Sequence, residues 1–236
     1  MIKADQPTIF AGAIIAAVSS KEDGTMKTKG QPDLEDKQTH QHRQQFLEKN
    51  NITADQTILV QMNYDSDHFT RYDSVESANP PHANQIDRHH PNDALATKKA
   101  GIALFLPLAD CVGAILYDPI KKVLMVSHLG RHNTEQTGAS RSVEYMKNKY
   151  QSRPQDILVW LSPAAGSTRY PLHAFENKSL HEVNKEHLID VGVAPQHIEI
   201  SGIDTTTDAN YHSHSEFLKG SSDEAGRFAI VAMMPE

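Results

Sequence analysis

Only one cysteine, Cys111, occurs among the 236 residues. A lone thiol excludes an intramolecular disulfide framework and fits a reducing compartment, which leaves this side chain as core filler or as chemistry. No apolar run approaches the ~18 residues that span a bilayer, and the leading stretch from Met1 to Gly24 carries no secretory cleavage pattern. A soluble, cytoplasmic protein is expected. No Lys/Arg cluster is longer than a pair, and 23 basic against 30 acidic side chains leave a net charge of −7. The electrostatic footprint of a phosphate-backbone binder is therefore missing. Neither nucleic acid nor a membrane is an expected partner, and nothing in the pattern specifies an oligomeric state. Internal repeats and low-complexity linkers are also lacking, so residues 1–236 read as a single domain.

The apolar residues, 38% of the chain, gather in short blocks. Ile9 to Ser19, Thr57 to Met62, Ile102 to Leu108, Val112 to Tyr117, Val123 to Ser127, Ile157 to Leu161, Ile198 to Ser201 and Phe228 to Met233 have the length and flanking residues of strands. Polar segments with apolar residues at helical spacing predict helices over Leu34 to Asn50, Gly138 to Lys149 and Ser179 to Val191, the last stopped by Gly192. Strands and helices neither alternate strictly nor segregate. The expected fold is α+β, a layered domain with one large mixed or antiparallel sheet, or two, and flanking helices. Ser20 to Asp33 and Ser74 to Asn92, rich in Gly, Pro, Asn, Asp and Ser, read as long surface loops and candidate lids.

Histidine is over-used, with 14 residues, consistent with metal binding, pH response or a His-rich surface. The segment Ala109 to Asn133 joins two strands through Asp118, Pro119, Ile120 and Lys121 and reads as a hairpin. Pairing Tyr117 with Lys122 across a four-residue loop sets Cys111 opposite His128, with Cβ atoms about 4.5–5.5 Å apart on one face. Zinc takes ligands at about 2.3 Å to sulfur and 2.0–2.1 Å to nitrogen, so such a pair can share one ion. The alternative is a buried thiol beside a histidine bound to a carbonyl. Asp110 either steers a ligand or simply starts the strand.

The motifs, in order, resemble a known family. Ala17 to Lys21 stands where its members carry a Ser-Thr-Arg-like strand end, His42 and Arg43 where they carry Asn-Arg, and Gln61 to Tyr64 where they carry Gln-Val-His-Gly. Asp93 to Thr97, Gly101 to Leu104 and Ala109 to Cys111 match Asp-Ala-Leu-Val-Thr, Gly-Ile-Ala-Leu and Ala-Asp-Cys. Asp118 and Pro119 mark the hairpin, and His128 to Asn133 replaces His-Ala-Gly-Trp-Arg-Gly. Ser162 to Gly166 and the Gly226–Arg227 pair complete the order. The chain resembles a divergent member of the YfiH-like multicopper polyphenol oxidase (laccase) family, associated with zinc-dependent purine nucleoside phosphorylase and adenosine deaminase activity.

The resemblance implies a zinc held by Cys111 and His128, with Asn63 standing where the family has its third ligand, a histidine. His68, His82, His89 and His90 are candidate substitutes. Nucleoside and phosphate are the implied small-molecule partners, with Arg131, His132 and Asp110 in catalytic positions and Asn63 and Arg43 near substrate. The arginine of the Trp-Arg pair has moved one residue earlier, to Arg131, and a Ser-Tyr-Arg motif has become Ser213, His214 and Ser215. Three readings stay open: a phosphorylase-like enzyme, a copper-dependent polyphenol oxidase, and a catalytically degraded binding or regulatory protein. Too few paired histidine motifs exist for a multicopper centre, and the H-x-E with P-C-x-x-C signature of the zinc deaminases is missing.

Overall fold

A computed structural model describes residues 1–27, 37–62, 67–79, 86–88 and 91–236. Its described strands form two mixed sheets. The first contains β1 (Ile15–Val18), β2 (Thr57–Leu59), β4 (Asp87–Arg88), β6 (Ala103–Leu108) and β11 (Phe228–Met233) in the order β1-β11-β6-β2-β4. The second contains β3 (Tyr72–Ser74), β5 (Ala94–Thr97), β7 (Val112–Asp118), β8 (Val123–Leu129), β9 (Leu158–Leu161) and β10 (Ile198–Ile200), ordered β10-β9-β7-β8-β5-β3. The expected α+β class is found, with two sheets, the second of the expected alternatives. The helices α1 (Lys37–Lys49), α3 (Gly138–Tyr150) and α4 (Leu180–Asp190) fall on the expected segments; the short α2 (Arg131–Glu135) and α5 (His214–Leu218) do not announce themselves by periodicity. No described helix is long and apolar enough to cross a membrane.

The two sheets pack face to face, and this explains the unbroken apolar blocks. Along β6 and β11, Leu104, Leu106, Phe228 and Ile230 point inward to meet Leu95, Ile115, Leu124, Val126 and Trp160 of the other sheet. Their alternates Phe105, Ala229 and Val231 turn outward beneath Phe46 and Leu47 of α1. On the far side, Leu116, Met125 and Leu161 lie under Val143 and Met146 of α3 and Val183 and Leu188 of α4. A strand covered on both faces needs no polar alternation. Each fully buried Leu, Ile, Val or Phe contributes roughly 1.5–3 kcal/mol, so this four-layer stack is a stiff support for whatever its edge presents.

The hairpin register differs from expectation. Asp118 pairs with Val123, and His128 lies opposite Gly113, not Cys111. The reason is local: the Asp118 Oδ1 accepts hydrogen bonds from the backbone of Ile120 and Lys121, both 2.9 Å, and Lys122 adopts φ +51° to close the turn. Asp118 is thus the last strand residue, and the four-residue loop starts one position later. Moving the turn this way slides the partner by two residues, which preserves the face. Cys111 lies just before β7, beyond its paired residues. Ile9 to Ile14, read as the start of the first strand, forms turns, with Ala11 and Gly12 at φ +46° and +79°. Of the two expected loops, Lys21–Asp23 makes a short helical turn whose buried Asp23 carboxylate is reached by Lys49 at 2.8 Å. Parts of both loops lie outside the described residues.

Candidate functional site

The end of the hairpin opens into a cavity of about 430 Å³ lined by Asp110, Cys111, His128, Arg131 and His132, among others. Strand parity explains why His128 reaches it. Leu124 and Val126 face the space between the sheets, so His128, two residues further on, carries its imidazole there just as the inter-sheet core ends. Opposite stands Gly113, where a Cβ would lie 2.5 Å from Leu108 and 2.6 Å from Ile230. Cys111, which follows Asp110 at φ +75°, packs against the same inter-sheet core.

Gly130 measures how closely thiol and imidazole approach each other. A methyl placed there would sit 2.9 Å from the Cys111 Sγ, 2.9 Å from the His128 Cε1 and 3.2 Å from its Nε2. Both side chains therefore converge on one point that only glycine leaves open. Burial pushes the Cys111 thiol up to about 12, with Asp110 adding to the rise and Arg227 and Arg131 opposing it. Burial likewise drives the His128 ring down to about 4, against the pull of Asp93 and a hydrogen bond with Asn133. Without a cation the pair is a neutral thiol and a neutral imidazole.

A network beneath holds these groups in place. The Asp93 carbonyl accepts the His128 N–H at 2.8 Å, and its buried carboxylate accepts from the Arg71 N–H at 2.9 Å and the Arg71 Nε at 3.1 Å. Asn133 donates to the Phe69 carbonyl at 2.7 Å and accepts the Gly130 N–H at 3.1 Å, fixing the start of α2. Asp110 is buried with both oxygens engaged: Oδ1 accepts from the Thr205 hydroxyl at 2.9 Å, and Oδ2 accepts the Ser215 N–H at 2.6 Å. That second bond ties α5 to the cavity wall. Arg131 lies over the Tyr170 ring, 4.7 Å from its centroid. His132 stacks on Phe69 at 4.8 Å and pairs with Glu135 at 3.3 Å.

The structure thus gathers Cys111, His128, Asp110, Arg131 and His132 around one cavity. It places Arg43 elsewhere, on the buried face of α1, with its Nε donating to the Met26 carbonyl at 2.6 Å and its guanidinium 5.8 Å from the Phe105 ring. Asn63, His82, His89 and His90 lie outside the described residues. His68 is described, with its Nε2 3.0 Å from the Thr70 hydroxyl. Among the described residues no three His, Cys, Asp or Glu side chains are grouped to hold a metal ion. The thiol and imidazole converging over Gly130 fit two arms of a soft-ligand site. Tyr170, Ser215, Leu218 and Arg227 also line the cavity and were not singled out as site residues from the sequence. They arrive from distant loops, helices and strands, and only the Gly-Arg resemblance at Arg227 and the altered Ser-Tyr-Arg motif at Ser215 hinted at any of them.

Comparison with known proteins follows the same outline. Residues 32–235 match the family model of multi-copper polyphenol oxidoreductase laccase. The chain is 26% identical over 146 residues to the purine nucleoside phosphorylase YlmD of Bacillus subtilis (strain 168), covering 52% of each. It is 29% identical over 108 residues to the purine nucleoside phosphorylase LACC1 of Homo sapiens, 44% of this chain and 25% of that one. The matched part thus spans about half the length of the first relative and a quarter of the second. Among solved structures, YlmD from Geobacillus stearothermophilus superposes with a TM-score of 0.81 at 19% identity, over 100% of this chain and 98% of that one. The hypothetical protein YfiH of Bacillus licheniformis gives 0.78 at 20% identity, over 94% and 93%. With the family model spanning most of its length and these folds superposing on it, the chain belongs to the multi-copper polyphenol oxidoreductase laccase family.

Proposed function

We propose that this chain is a metal-dependent purine nucleoside phosphorylase-like enzyme acting on adenosine or inosine and phosphate, with adenosine deamination as a second reaction of the same site. The observation that carries this reading is the convergence of Cys111 and His128 on the space above Gly130, inside a cavity that also holds Arg131 and His132. Relatives named purine nucleoside phosphorylase support it.

Cys111 and His128 would hold a zinc ion, with copper as the alternative cation for the same soft donors. Bound zinc supplies Lewis-acid polarisation of an oxygen ligand. In phosphorolysis a phosphate oxygen bonds to the ribose C1′ as the bond to the purine nitrogen breaks. The electron pair leaves with the base, which then needs a proton. Arg131, held flat over Tyr170, offers its guanidinium to phosphate. His132, exposed at the rim and 3.3 Å from Glu135, is the imidazole placed to deliver that proton. Asp110 acts as a positioning residue, because both its oxygens are already committed to Thr205 and Ser215. Asn63 contacts the nucleoside. Arg43, on the buried face of α1, ties that helix to the Met26 carbonyl.

A second reading, a binding or regulatory protein without turnover, is favoured by one observation: the described residues contain no third metal donor beside the pair. Phosphate-dependent release of adenine or hypoxanthine, followed by chromatography alongside elemental analysis of protein purified without added metal, separates the two. The phosphorylase reading expects near-stoichiometric zinc and turnover that Cys111→Ala abolishes. Full-rate turnover in that variant overturns the metal-centred mechanism, and metal-free, stable, inactive protein favours the binding protein.

A further inference from the structure

A second cavity, of about 490 Å³, lies between the turn at Gly24, α1 and the approach to β11. Its wall carries His212, His42, Lys21, Lys27 and Glu224. His212 is 4% exposed, yet neither of its ring nitrogens has a hydrogen-bond partner. The nearest oxyanion is the Glu224 carboxylate, 3.6 Å from the His212 Nδ1 and itself largely in solvent. That distance is too long for a hydrogen bond. It does show that a negatively charged oxygen can approach the buried ring from the open side.

Both imidazoles rest on glycines. A Cβ at Gly226 would fall 2.3 Å from the His212 Cε1, and one at Gly24 would fall 2.3 Å from the His42 Nδ1. Each ring is thus pressed against backbone that has no side chain, and together they line a space no bulkier residue would allow. His42 Nδ1 lies 3.3 Å from the Thr25 carbonyl, an acceptor only, so that nitrogen carries the proton. Among the described residues that line it, Lys21 and Lys27 carry ammonium groups and Glu224 the carboxylate, in a chain whose overall charge is −7. A locally cationic wall around an unpartnered buried imidazole suits a compact oxyanion, which can take a hydrogen bond from the ring while the lysines balance its charge.

We propose that this cavity is a phosphate-binding site, in which His212 donates to a phosphate oxygen, Lys21 and Lys27 neutralise its charge, and Glu224 is the exposed carboxylate that the ligand displaces. The inference goes beyond nucleoside turnover and does not depend on it. The cavity adjoins the one holding Cys111, since Gly226 lines the first and Arg227 the second. The same chemistry serves free phosphate or the phosphate of a nucleotide.

The full-length protein is titrated with inorganic phosphate, and separately with AMP and adenosine, while the ring-nitrogen NMR signals of His212 are followed. A saturable shift with phosphate or AMP, and none with adenosine, is expected. Tighter response to phosphate identifies the free ion as ligand, and tighter response to AMP identifies a nucleotide phosphate. Lys21→Ala should weaken binding about tenfold, and Glu224→Gln should strengthen it several-fold by removing the competing carboxylate. The His212→Gln variant, monitored by calorimetry, covers loss of the probe. A response that never saturates overturns the proposal. So does binding that Lys21→Ala and Glu224→Gln leave unchanged while Arg131→Ala abolishes it, because the anion then sits in the other cavity.

Discussion

Gly130→Ala is the sharpest test of the geometry at the hairpin end. Gly130 has φ −82° and ψ −174°, an extended conformation open to any residue, so the substitution brings no backbone strain and isolates the added methyl. That methyl would meet the Cys111 Sγ and the His128 Cε1 at 2.9 Å each. Ordinary nonbonded contact is about 3.5–4.0 Å, so each neighbour must retreat by roughly 0.6–1 Å. His128 is buried at the end of a strand paired on both sides and cannot swing away freely. Overpacking of this kind costs ~1–3 kcal/mol. Metal bonds of about 2.0–2.3 Å do not stretch by that amount, so zinc affinity should fall at least 10–100-fold, roughly the effect of disturbing the groups that orient metal ligands. Competition with a chromophoric chelator gives the affinity, and chemical denaturation of metal-free protein gives the stability. A variant that binds zinc as tightly as the parent and unfolds at the same denaturant concentration would refute the convergence of the two side chains on Gly130.

Further expectations concern stability and the cavity wall. Asp110→Asn retains the left-handed φ that asparagine accepts, but its amide cannot accept from both Thr205 and Ser215; a loss of ~1–3 kcal/mol is expected by urea denaturation, and no loss would mean that α5 is held by other contacts. Burial, reinforced by Lys21 and Arg227 against Glu224, drives the His212 ring down to about 4. The unfolded chain takes up this proton near pH 6.5 and the fold only near 4, so His212's share of the stability is present in full above about 6.5 and is lost as the pH falls toward 4, at up to roughly 1.36 kcal/mol per unit. His212→Phe should flatten the stability–pH slope in that window, and an unaltered slope counts against the burial argument. Lys122→Gly, which relieves φ +51° in the hairpin turn, should stabilise by about 0.5 kcal/mol in thermal melts; a destabilised hairpin would show that the lysine side chain matters more than its backbone.

How far the sequence reached is visible at particular residues. Apolar blocks such as Ala103–Leu108 and residues 123–126 marked their strands because both faces are covered, which leaves composition as the signal and period as no signal at all. Helices α1, α3 and α4 were legible since each keeps a polar outer face. Three short strands, Tyr72–Ser74, Asp87–Arg88 and Ala94–Thr97, were not, because their pairing comes from neighbours far along the chain. The association of Cys111 with His128 was anticipated, but through the wrong register: Asp118 closes an Asx turn that moves the pairing, and period-two parity kept both residues on one face.

What the sequence settled alone was the short-range part: the lack of a bilayer-length apolar run, the covered strands, the three long helices, the order of motifs that points to the family, and a thiol and a histidine flanking one hairpin. Those follow from side-chain type and spacing within a dozen or so residues. Only the tertiary structure decided that the strands divide into two sheets, that Arg43 turns from α1 into the core toward Met26, that Gly130 leaves the space on which thiol and imidazole converge, and that Asp110 reaches across the chain to Thr205 and Ser215. These depend on which surfaces are buried together, and a chain carries no local mark of a partner it meets a hundred residues later.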